Sequence, residues 1–449
     1  MHHLALSESA AQEVGTALRA AEPNESGVFL ALRETPTRNG TRFIASNVYV
    51  PRRSEFDRAG PAILAPSAKL LSKLVSLAER EQAGLLFVHS HPDSRFPVGF
   101  SAADLEALCS LSPVMRDLLP GPFAAAVVSP HGWAASVLRN NEWEPVARIT
   151  SSGRRLRLLE PGELEAEDSR DDRQVRVLGR ANRWLRSLRV GLIAAGGLGS
   201  PLAETVTRMG VARLSVFDTD HIDDPSGLRR IFGARPADLF ERRAKASVVA
   251  RHCQELDLGV EVCASIQDVR DASALLDLLD HDILMCGTDT HSSRAALNAI
   301  SYAFHLPLID CGVVPGLGEG GLESLAGEVR LVGPGLPCLY CLGAINADVV
   351  RFENLPRSDQ QRLRREGYGT GIAEIAPSIA ALTVAGAGWM AAALIGAIVE
   401  NGEHRSAAIV FDVLNGFAME NRSARAGRCI CRLVEGKAQS GALGLRRLP

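Results

Sequence analysis

The pattern of apolar and polar residues changes character near residue 189. Beyond it, short apolar runs alternate with stretches of helical spacing. The runs lie at 190–194, 214–217, 260–263, 282–286 and 308–310. Strands that alternate with helices are typical of a doubly wound sheet whose strands are mostly parallel. The C-terminal part of the chain is therefore predicted to be an α/β domain with such a sheet.

The first 148 residues have a mixed pattern instead. Helical spacing is interleaved with strand-like runs, with helices predicted at 4–20, 67–81 and 102–110 and strands at 28–32, 43–45, 85–88, 124–128 and 134–138. This mixture predicts an α+β domain over residues 1–148, an ordinary size for one domain. Residues 149–168 are rich in charge and poor in apolar periodicity, so we predict a linker there and a second domain over 169–449.

One apolar run, at 379–399, is long enough to cross a bilayer and contains no charged residue. The run consists largely of Ala and Gly, and it is flanked by Glu374 and Glu400 rather than by Lys or Arg. A helix that is apolar on all sides can also lie in a large core, where small residues allow close packing. We therefore predict a buried helix, packed on a sheet or on a second subunit, and no membrane partner.

Composition narrows the class of protein. The chain of 449 residues is 46% hydrophobic and 22% charged, and 49 Lys and Arg against 52 Asp and Glu give a net charge of −3. Such a balance gives no overall positive field for binding nucleic acid. The first residues contain no long apolar stretch, and the nine Cys are an odd number in a long chain. These features predict a cytoplasmic location with reduced thiols.

The first candidate site follows the apolar strand at 85–88. His89 and His91 are two apart and project to the same side of a strand, and Asp104 lies in the first turn of the next helix. Two imidazoles and a carboxylate form a catalytic zinc site that leaves a fourth position for water. An isolated His-x-His is more often a surface turn, but a Pro after it, a Ser-x-x-Asp downstream and a Glu upstream make this pattern more specific.

Two further residues complete that site. Glu25, at the entrance to the strand at 28–32, is the predicted general base towards zinc-bound water, and Glu22 is a reserve candidate. Ser101 is predicted to donate a hydrogen bond to the developing oxyanion.

The ordered set of a Glu, His89-Ser90-His91-Pro92 and Ser101-x-x-Asp104 resembles the JAMM (JAB/MPN) metalloprotease family. The resemblance covers roughly residues 5–140, about one domain. It implies a zinc isopeptidase that cuts ubiquitin-like proteins from lysines or trims them after a C-terminal glycine. Nine residues separate His91 from Ser101, where seven is usual, so residues 95–99 are expected to lengthen a loop beside the substrate groove.

The second candidate site is a glycine-rich loop after the strand at 190–194. Gly196, Gly197 and Gly199 open a helix, where free backbone N–H groups can bind phosphate. Asp218 ends the next strand, with Asp220 two residues later, in position to bind a ribose hydroxyl. This combination predicts a Rossmann-like nucleotide site. A hydride-transfer enzyme that binds NAD would use the same geometry.

Six short motifs in one order resemble the ThiF/MoeB and ubiquitin-activating adenylyltransferase family. They lie at 170–174, 196–200, 218–220, 228–230, 245–246 and 287–289. The resemblance implies that the domain binds ATP and Mg²⁺ and adenylates the C-terminus of a ubiquitin-like protein. Arg230 and Lys245 would neutralise the polyphosphate, with Arg229 as an alternative to Arg230. Asp289 would hold Mg²⁺.

The same resemblance implies a homodimer, in which Arg173 reaches the nucleotide of the neighbouring subunit. Two positions depart from the family pattern: Ala194 replaces the first loop glycine, and Gly227 replaces an Asn.

Four cysteines form two distant pairs, Cys338 with Cys341 and Cys429 with Cys431. Four thiolates make a closed zinc site that supports folding. Chance pairs and a redox-active pair are the alternatives. The segment 342–377, where ubiquitin-activating enzymes carry a nucleophilic Cys, contains no Cys. Either the reaction ends at adenylation, a separate conjugating protein collects the acyl group, or Cys286 or Cys311 is the nucleophile.

Three functions are compatible with these patterns. The first is a bifunctional enzyme of a bacterial-type ubiquitin-like pathway, in which one domain cleaves and the other adenylates the glycine-ended tail. The second is activation of a sulfur-carrier protein for cofactor or metabolite synthesis. The third is a scaffold that binds a modifier without catalysis.

Overall fold

A computed structural model of the protein describes residues 1–60, 63–92, 98–160, 169–366, 378–399 and 407–439. The chain divides into two units. The first comprises Met1–Ala166 with Gly436–Ala438, and the second comprises Glu167–Glu435 with Gln439–Pro449.

In its described residues, the first unit combines three α-helices with a mixed sheet. Its strands are β1 (His2–Ser7), β2 (Gly27–Thr37), β3 (Gly40–Tyr49), β4 (Phe56–Gly60), β5 (Ile63–Pro66), β6 (Gly84–Ser90), β7 (Phe123–Ser129), β8 (Gly132–Arg139), β9 (Glu142–Pro145), β10 (Arg148–Ser152) and β11 (Leu156–Leu158). Its helices are α1 (Glu8–Arg19), α2 (Ala68–Glu81) and α3 (Ala102–Leu118). Nine strands form one sheet in the order β11-β10-β1-β3-β2-β6-β7-β8-β9, and β4 pairs with β5 in a separate ribbon.

Both faces of this nine-stranded sheet are covered, because alternate residues of its strands point to opposite sides. One face packs on α1 through Val14 and Leu18. The other packs on α2 and α3 through residues such as Leu74 and Met115. Strand β6 lies in the middle of the sheet and is buried along its whole length. The core therefore fixes the end of β6, where the two predicted histidine ligands begin.

Two predictions for the first unit were wrong about the type of element that part of the segment forms. The helix expected over 4–20 begins only at Glu8, because Ser7 caps it by accepting a hydrogen bond from the Ala10 N–H, and residues 2–7 form a strand. The linker expected over 149–168 starts too early, because β10 pairs with β1 and β11 pairs with β10 inside the sheet. Residues 161–168 lie outside the described part of the chain.

The second unit has a larger number of helices. Its strands are β12 (Arg189–Ile193), β13 (Arg213–Phe217), β14 (Glu261–Ser265), β15 (Ile283–Cys286), β16 (Leu308–Gly318), β17 (Gly321–Val332), β18 (Ala408–Asp412) and β19 (Phe417–Asn421). Its helices are α4 (Asp172–Leu178), α5 (Ala181–Ser187), α6 (Gly199–Arg208), α7 (Gly227–Arg230), α8 (Pro236–Phe240), α9 (Lys245–Gln254), α10 (Ala272–Leu278), α11 (His291–Ala303), α12 (Ala347–Glu353), α13 (Arg357–Arg365), α14 (Ala380–Ile398) and α15 (Ile430–Val434).

The sheet of the second unit has two halves. Strands β14-β13-β12-β15-β16 are parallel neighbours, and β17, β18 and β19 continue the sheet with antiparallel pairing. The chain order reverses between β12 and β15. In open α/β sheets, ligands bind at such a switch point, outside the carboxyl ends of the strands. This is a Rossmann-like arrangement, as the sequence predicted for this half of the protein.

The long apolar run forms α14, which is long and apolar enough to cross a membrane, although half of it is buried within the protein. The buried side packs on α6, β16 and β17. Gly386 makes this approach possible, since a Cβ there would lie 2.7 Å from Leu198 Cδ1 and 2.9 Å from Val313 Cγ1. The helix is thus held on one face of the sheet.

Candidate functional sites

The end of β6 and the start of α3 bring the three predicted zinc ligands of the first unit together. The potential ligand atoms of His89, His91 and Asp104 all lie within 4.8 Å of one another. Nε2 of His91 is 3.2 Å from Asp104 Oδ2, and Nε2 of His89 is 3.0 Å from Asp104 Oδ1. The three side chains therefore converge on one point.

The chemistry of these side chains fits a zinc ion. His89 is only 3% exposed, and within the described residues neither of its ring nitrogens has a hydrogen bond of acceptable geometry, although Nε2 lies 3.0 Å from Asp104 Oδ1. A buried polar atom without a partner is costly, whereas a metal ion would satisfy it. The ring is held in place by stacking on Phe87, with 5.4 Å between ring centroids.

Asp104 is fixed by the start of its helix. Its Oδ2 accepts a hydrogen bond from the Ser101 N–H at 2.7 Å, and Ser101 Oγ accepts one from the Asp104 N–H at 3.2 Å. Ser101 is exposed at the helix N-cap. The residues expected to lengthen the neighbouring loop, 95–99, lie largely outside the described chain, which resumes at residue 98.

Glu25 faces the same cluster from the start of β2. Its Oε1 lies 3.8 Å from His91 Nε2, and its backbone N–H donates to the Gly60 carbonyl at 3.0 Å. Burial raises the pKa of Glu25, although the neighbouring histidines oppose this effect. A carboxylate of raised pKa near a metal-bound water is suited to act as general base. Glu22 is exposed.

The cluster is electrostatically coupled. The hydrogen bond to Asp104 raises the pKa of His91. Burial works to raise the pKa of Asp104, but contact with His89 and His91 outweighs it and holds that pKa far below its ordinary value. Asp104 is thus kept ionised, as a metal ligand must be.

In the second unit, the glycine-rich loop connects β12 to α6. Only glycine fits at Gly199, because a Cβ there would lie 1.7 Å from the Ala194 carbonyl oxygen. Among the described residues, a Cβ on Gly196 would meet no atom within 4 Å, which leaves room for a ligand beside this part of the loop. Gly197 lies beside Arg230. Ala194, which replaces a family glycine, has a φ of 79°, a left-handed conformation that glycine adopts more easily.

Asp218 closes this loop from the end of β13. Its Oδ2 accepts a hydrogen bond from the Ala195 N–H at 2.7 Å, and its Oδ1 accepts one from the Asp220 N–H at 2.8 Å. Burial raises the pKa of Asp218. Lys245 Nζ donates to Asp220 Oδ2 at 2.8 Å. The two predicted ribose-binding carboxylates and the predicted lysine are therefore adjacent.

A cavity of about 200 Å³ lies beside these residues, at the carboxyl ends of the parallel strands. Its walls include Asp218, Asp220, Asp268, Thr288 and Asp289. The place is the switch point of the sheet, where α/β proteins bind nucleotides.

The predicted arginines have different surroundings. Arg230 lies next to the loop and donates from Nη2 to Ser226 Oγ at 2.9 Å, whereas Arg229 is exposed. This placement favours Arg230 of the two candidates. Arg173 is exposed on α4 and lines neither this cavity nor the larger one that contains Leu198 and Val314.

Asp289 also lines a larger cavity, of about 470 Å³. It reaches from Leu198 in the loop to Val314 on β16 and Val410 on β18. Thr288 and Asp289 line both cavities, so the two meet at these residues.

An ion cluster in the wall of this cavity was not predicted from the sequence. Asp310 is fully buried and accepts hydrogen bonds from Arg294 Nε at 3.0 Å and from Arg330 Nη1 at 2.8 Å. The three residues lie on α11, β16 and β17, and no local sequence signal links them.

The two cysteines considered as nucleophiles lie close to this region and are buried. Burial raises the pKa of Cys311 to about 12 and the pKa of Cys286 further still. A thiol attacks as its thiolate, so neither side chain is suited to form a thioester at neutral pH.

The four paired cysteines converge at the end of the unit. Cys338 Sγ is 3.3 Å from Cys429 Sγ and 3.7 Å from Cys341 Sγ, and all four sulfurs, including that of Cys431, lie within 4.8 Å of one another. Tetrahedral zinc with bonds of about 2.3 Å requires sulfurs roughly 3.8 Å apart, so the cluster fits this ion. A hydrogen bond from Cys338 lowers the pKa of Cys431 to about 5.

Comparison with known proteins identifies the second unit. The ThiF family model matches residues 172–433. Curated relatives include the NEDD8-activating enzyme E1 catalytic subunit of Arabidopsis thaliana, 28% identical over 202 residues that are 43% of this chain and 41% of the relative. Another is the sulfur carrier protein ThiS adenylyltransferase of Bacillus subtilis, 26% identical over 159 residues, which are 35% of this chain and 44% of the relative.

The match thus spans about two fifths of these relatives' length. Among solved structures, E. coli MccB aligns with a TM-score of 0.45 and 18% identity over 60% of this chain and 74% of MccB. The family model covers more than half of the chain, and it contains the glycine-rich loop, Asp218, Lys245 and Asp289. The chain belongs to the ThiF family.

Proposed function

We propose that the second unit is an ATP-dependent adenylyltransferase that activates the C-terminal carboxylate of a ubiquitin-like or sulfur-carrier protein. The meeting of two cavities at Thr288 and Asp289 carries this proposal. One cavity lies beside the glycine-rich loop and Asp218, where ATP would bind. The other offers an extended space for a peptide tail. The relatives named for NEDD8 activation and for ThiS adenylylation support this assignment.

In this reaction a carboxylate oxygen of the tail attacks the α-phosphorus of ATP, the bond to the bridging oxygen breaks, and pyrophosphate leaves. Arg230 and Lys245 would offset the charge that builds on the pyrophosphate. Asp289 is the residue that would hold Mg²⁺, and this ion, when bound, neutralises phosphate charge. The ammonium of Lys245 is now bound to Asp220, so we expect ATP to draw it away.

The sheet offers a surface for the folded body of such a partner. In antiparallel pairing, residues directly opposite share a face, and Val314, Ala326, Asp412 and Phe417 form one such row across β16–β19. A second row on the same face consists of Gly312, Glu328, Val410 and Met419. Helix α14 packs on the opposite face, against Cys311 and Val313.

The face without α14 carries exposed apolar side chains beside the polar residues Glu328 and Asp412. Its large exposed residues are Val314, Leu317, Leu322, Phe417 and Met419. Val314 also lines the larger cavity, so this surface is continuous with the cavity mouth. Exposed apolar patches of this kind mark interaction sites. A small globular protein on this face could extend its glycine-ended tail into the cavity.

A homodimer is part of the same proposal. Arg173 and Val177 are exposed on α4, and Val384, Gly388 and Ala392 form an exposed apolar stripe on α14. A second copy of the chain would cover that stripe. In such a dimer, Arg173 of one copy would contact the nucleotide bound by the other copy.

For the first unit, we propose a zinc peptidase of the JAMM type. The convergence of His89, His91 and Asp104, with Glu25 beside them, supports it. A bound zinc would supply an activated water, and Glu25 would take the proton of that water and pass it to the leaving amine. Both units would then act on the same object, a tail that ends in glycine, in the cytoplasm.

The identity of the partner depends on whether a thioester forms. Cys286 and Cys311 have raised thiol pKa values, and segment 342–377 contains no Cys. These facts favour an enzyme that hands its adenylate directly to another protein, either a conjugating enzyme or a sulfur donor. The sulfur-carrier function is therefore the second candidate.

ATP–pyrophosphate exchange tests the adenylation proposal. We expect exchange that requires a glycine-ended partner, encoded near this gene, and that is lost when its last glycine is removed. Binding of NAD with no response to ATP would contradict the proposal. Partner binding without any exchange would instead support a scaffold.

Zinc content tests the two metal sites in the intact chain. We expect about two zinc ions per chain, as one open and one closed site require. Changing His89 and His91 to Ala should remove one zinc, and changing Cys338 and Cys341 to Ser should remove the other. An unchanged zinc content in either double variant would refute that site.

A further inference from the structure

The tetracysteine cluster has an electrostatic requirement that its sulfurs cannot meet alone. Zn²⁺ with four thiolates carries a net charge of −2, and Cys338 and Cys431 are buried. Buried charge is costly unless hydrogen-bond donors or opposite charges compensate it. The residues around the cluster should therefore supply N–H groups to the sulfurs.

The segment before Cys429 supplies two such donors. Arg425 Nε donates to Cys431 Sγ at 3.4 Å, and the Ala426 N–H donates to Cys341 Sγ at 3.4 Å. The first donor is charged, so it offsets part of the negative charge as well as forming a hydrogen bond.

The guanidinium of Arg425 is fixed by three further contacts. Its Nη2 donates to the Cys431 carbonyl at 3.0 Å and also to the carboxylate of Glu435. Its plane lies over the ring of Tyr302 on α11, with 5.5 Å to the ring centroid. Tyr302 is fully buried and donates to the Leu336 carbonyl, just before the first cysteine pair. Arg425 thus links the second cysteine pair to Tyr302, whose hydroxyl group holds the backbone next to the first pair.

We infer that Arg425 is a positioning residue of the tetracysteine zinc site, which holds the Cys431 thiolate in place and retains the metal by connecting it to Tyr302. The inference rests on the proposed structural zinc, and it assigns the outer hydrogen bonds that the zinc would need. Lysine cannot replace this function, because it lacks the planar fork that donates to a sulfur, a carbonyl and a carboxylate at once.

Zinc release from the full-length protein tests the inference. The protein should carry His89→Ala and His91→Ala, so that only the tetracysteine site contributes, and 4-(2-pyridylazo)resorcinol should be the zinc acceptor. We expect Arg425→Gln to release zinc about ten- to a hundred-fold faster, because loss of a hydrogen-bond partner of a metal ligand lowers metal affinity by about that factor. The rate of zinc release from Arg425→Lys should lie between the rates of Arg425→Gln and of the parent. Arg428→Gln, an exposed change on the same segment, should release zinc at the parental rate.

Release from Arg425→Gln at the rate of Arg428→Gln would overturn the inference. If Arg425→Gln fails to fold, Arg425→Lys provides the test. Zinc release faster than from the parent would support the role of the planar guanidinium group, and release at the parental rate would contradict it. A parent protein that holds no zinc at this site would instead refute the structural zinc itself. Tyr302→Leu should speed release less than Arg425→Gln, since it removes the ring but leaves the donor to Cys431.

Discussion

The two candidate sites draw their residues from very different lengths of chain. The ligands of the first unit come from the end of one strand and the first turn of the next helix, and they lie within 4.8 Å of one another. The proposed nucleotide site of the second unit collects Ala194, Asp218, Lys245 and Asp289 from four separate strand ends and helix starts. The first site is one compact cluster of side chains, whereas the residues of the second are distributed along one edge of a sheet.

This difference determines how each site can fail. In the proposed site of the first unit, each side chain would transfer one proton or occupy one position on the metal, so a single substitution should abolish one step. In the second, several cations and backbone groups would share the charge of the proposed nucleotide, and the sheet holds these groups in position. Substitutions there should weaken the reaction by degrees. The two units also provide controls for each other, because a change in one site should leave the other activity intact.

The largest effect is expected for Glu25→Gln. The substitution removes the base without touching a ligand, so cleavage of a fusion that joins a glycine-ended ubiquitin-like protein to a following peptide should fall about 10²- to 10⁴-fold. Zinc content should be unchanged, which distinguishes loss of the base from loss of the metal. ATP–pyrophosphate exchange in the same variant is the control. Cleavage that survives in Glu25→Gln and is lost in Glu22→Gln would move the base to Glu22.

The next effect is expected at the nucleotide site. Lys245→Ala and Asp289→Ala should each lower exchange about 10²- to 10³-fold, because both residues act on charge that develops in the transition state. Peptidase activity should not change. Arg229→Ala is the matched control for Arg230→Ala, since only Arg230 lies beside the loop. Equal losses of exchange activity in Arg229→Ala and Arg230→Ala would contradict the preference for Arg230 over Arg229.

The same contrast between local and distant residues explains how much of each site could be predicted from the sequence. His89 and His91 are visible in sequence because strand alternation fixes their common side, and Asp104 follows as part of a helix start. The glycine-rich loop and Asp218 are visible because a strand end and a helix start each have local signals. The sheet order itself is not local, yet alternating elements restrict it to few choices.

The features that sequence did not reveal depend on distant pairing. Strand β10 contains Thr150, Ser151 and Ser152, all buried, so its polarity resembles that of a linker. It is a strand because β1, nearly 150 residues earlier, supplies its hydrogen-bond partners. The same holds for Asp310, whose two arginines lie on other elements, and for Arg425, which meets Tyr302 only in the folded chain.

The third prediction concerns the stability of the second unit. His281 is buried, and burial lowers its pKa from 6.5 to about 4, while its Nε2 lies 2.8 Å from Ser215 Oγ. In the unfolded chain the imidazole takes up a proton as the pH falls below about 6.5. In the folded chain it does so only near pH 4. Stability should therefore be fully present above pH 6.5 and decline as pH falls towards 4. One pKa unit corresponds to about 1.4 kcal/mol, so the loss amounts to roughly 3 kcal/mol.

Tryptophan fluorescence can follow this unit separately. In a Trp133→Phe/Trp143→Phe background, the remaining tryptophans, Trp184 and Trp389, lie in the second unit. Denaturant unfolding at several pH values between 7 and 4 should show the loss in the free energy of unfolding. The His281→Asn variant should be less stable than the parent at pH 7, but its free energy of unfolding should change less with pH. An equal pH dependence in both proteins would show that His281 does not control the acid response.

The smallest effect is expected at Ala194, where the loop departs from the family pattern. A non-glycine residue in the left-handed region costs about 1–2 kcal/mol, and glycine costs about 0.5–1 kcal/mol through the entropy of the unfolded chain. Ala194→Gly should therefore raise the free energy of unfolding of the second unit by roughly 0.5–1 kcal/mol. Ala195→Gly is the matched control: Ala195 is buried and has no positive φ, so its replacement should destabilise the unit. Destabilisation by both changes would mean that the alanine methyl group at 194 contributes more through packing than its backbone conformation costs.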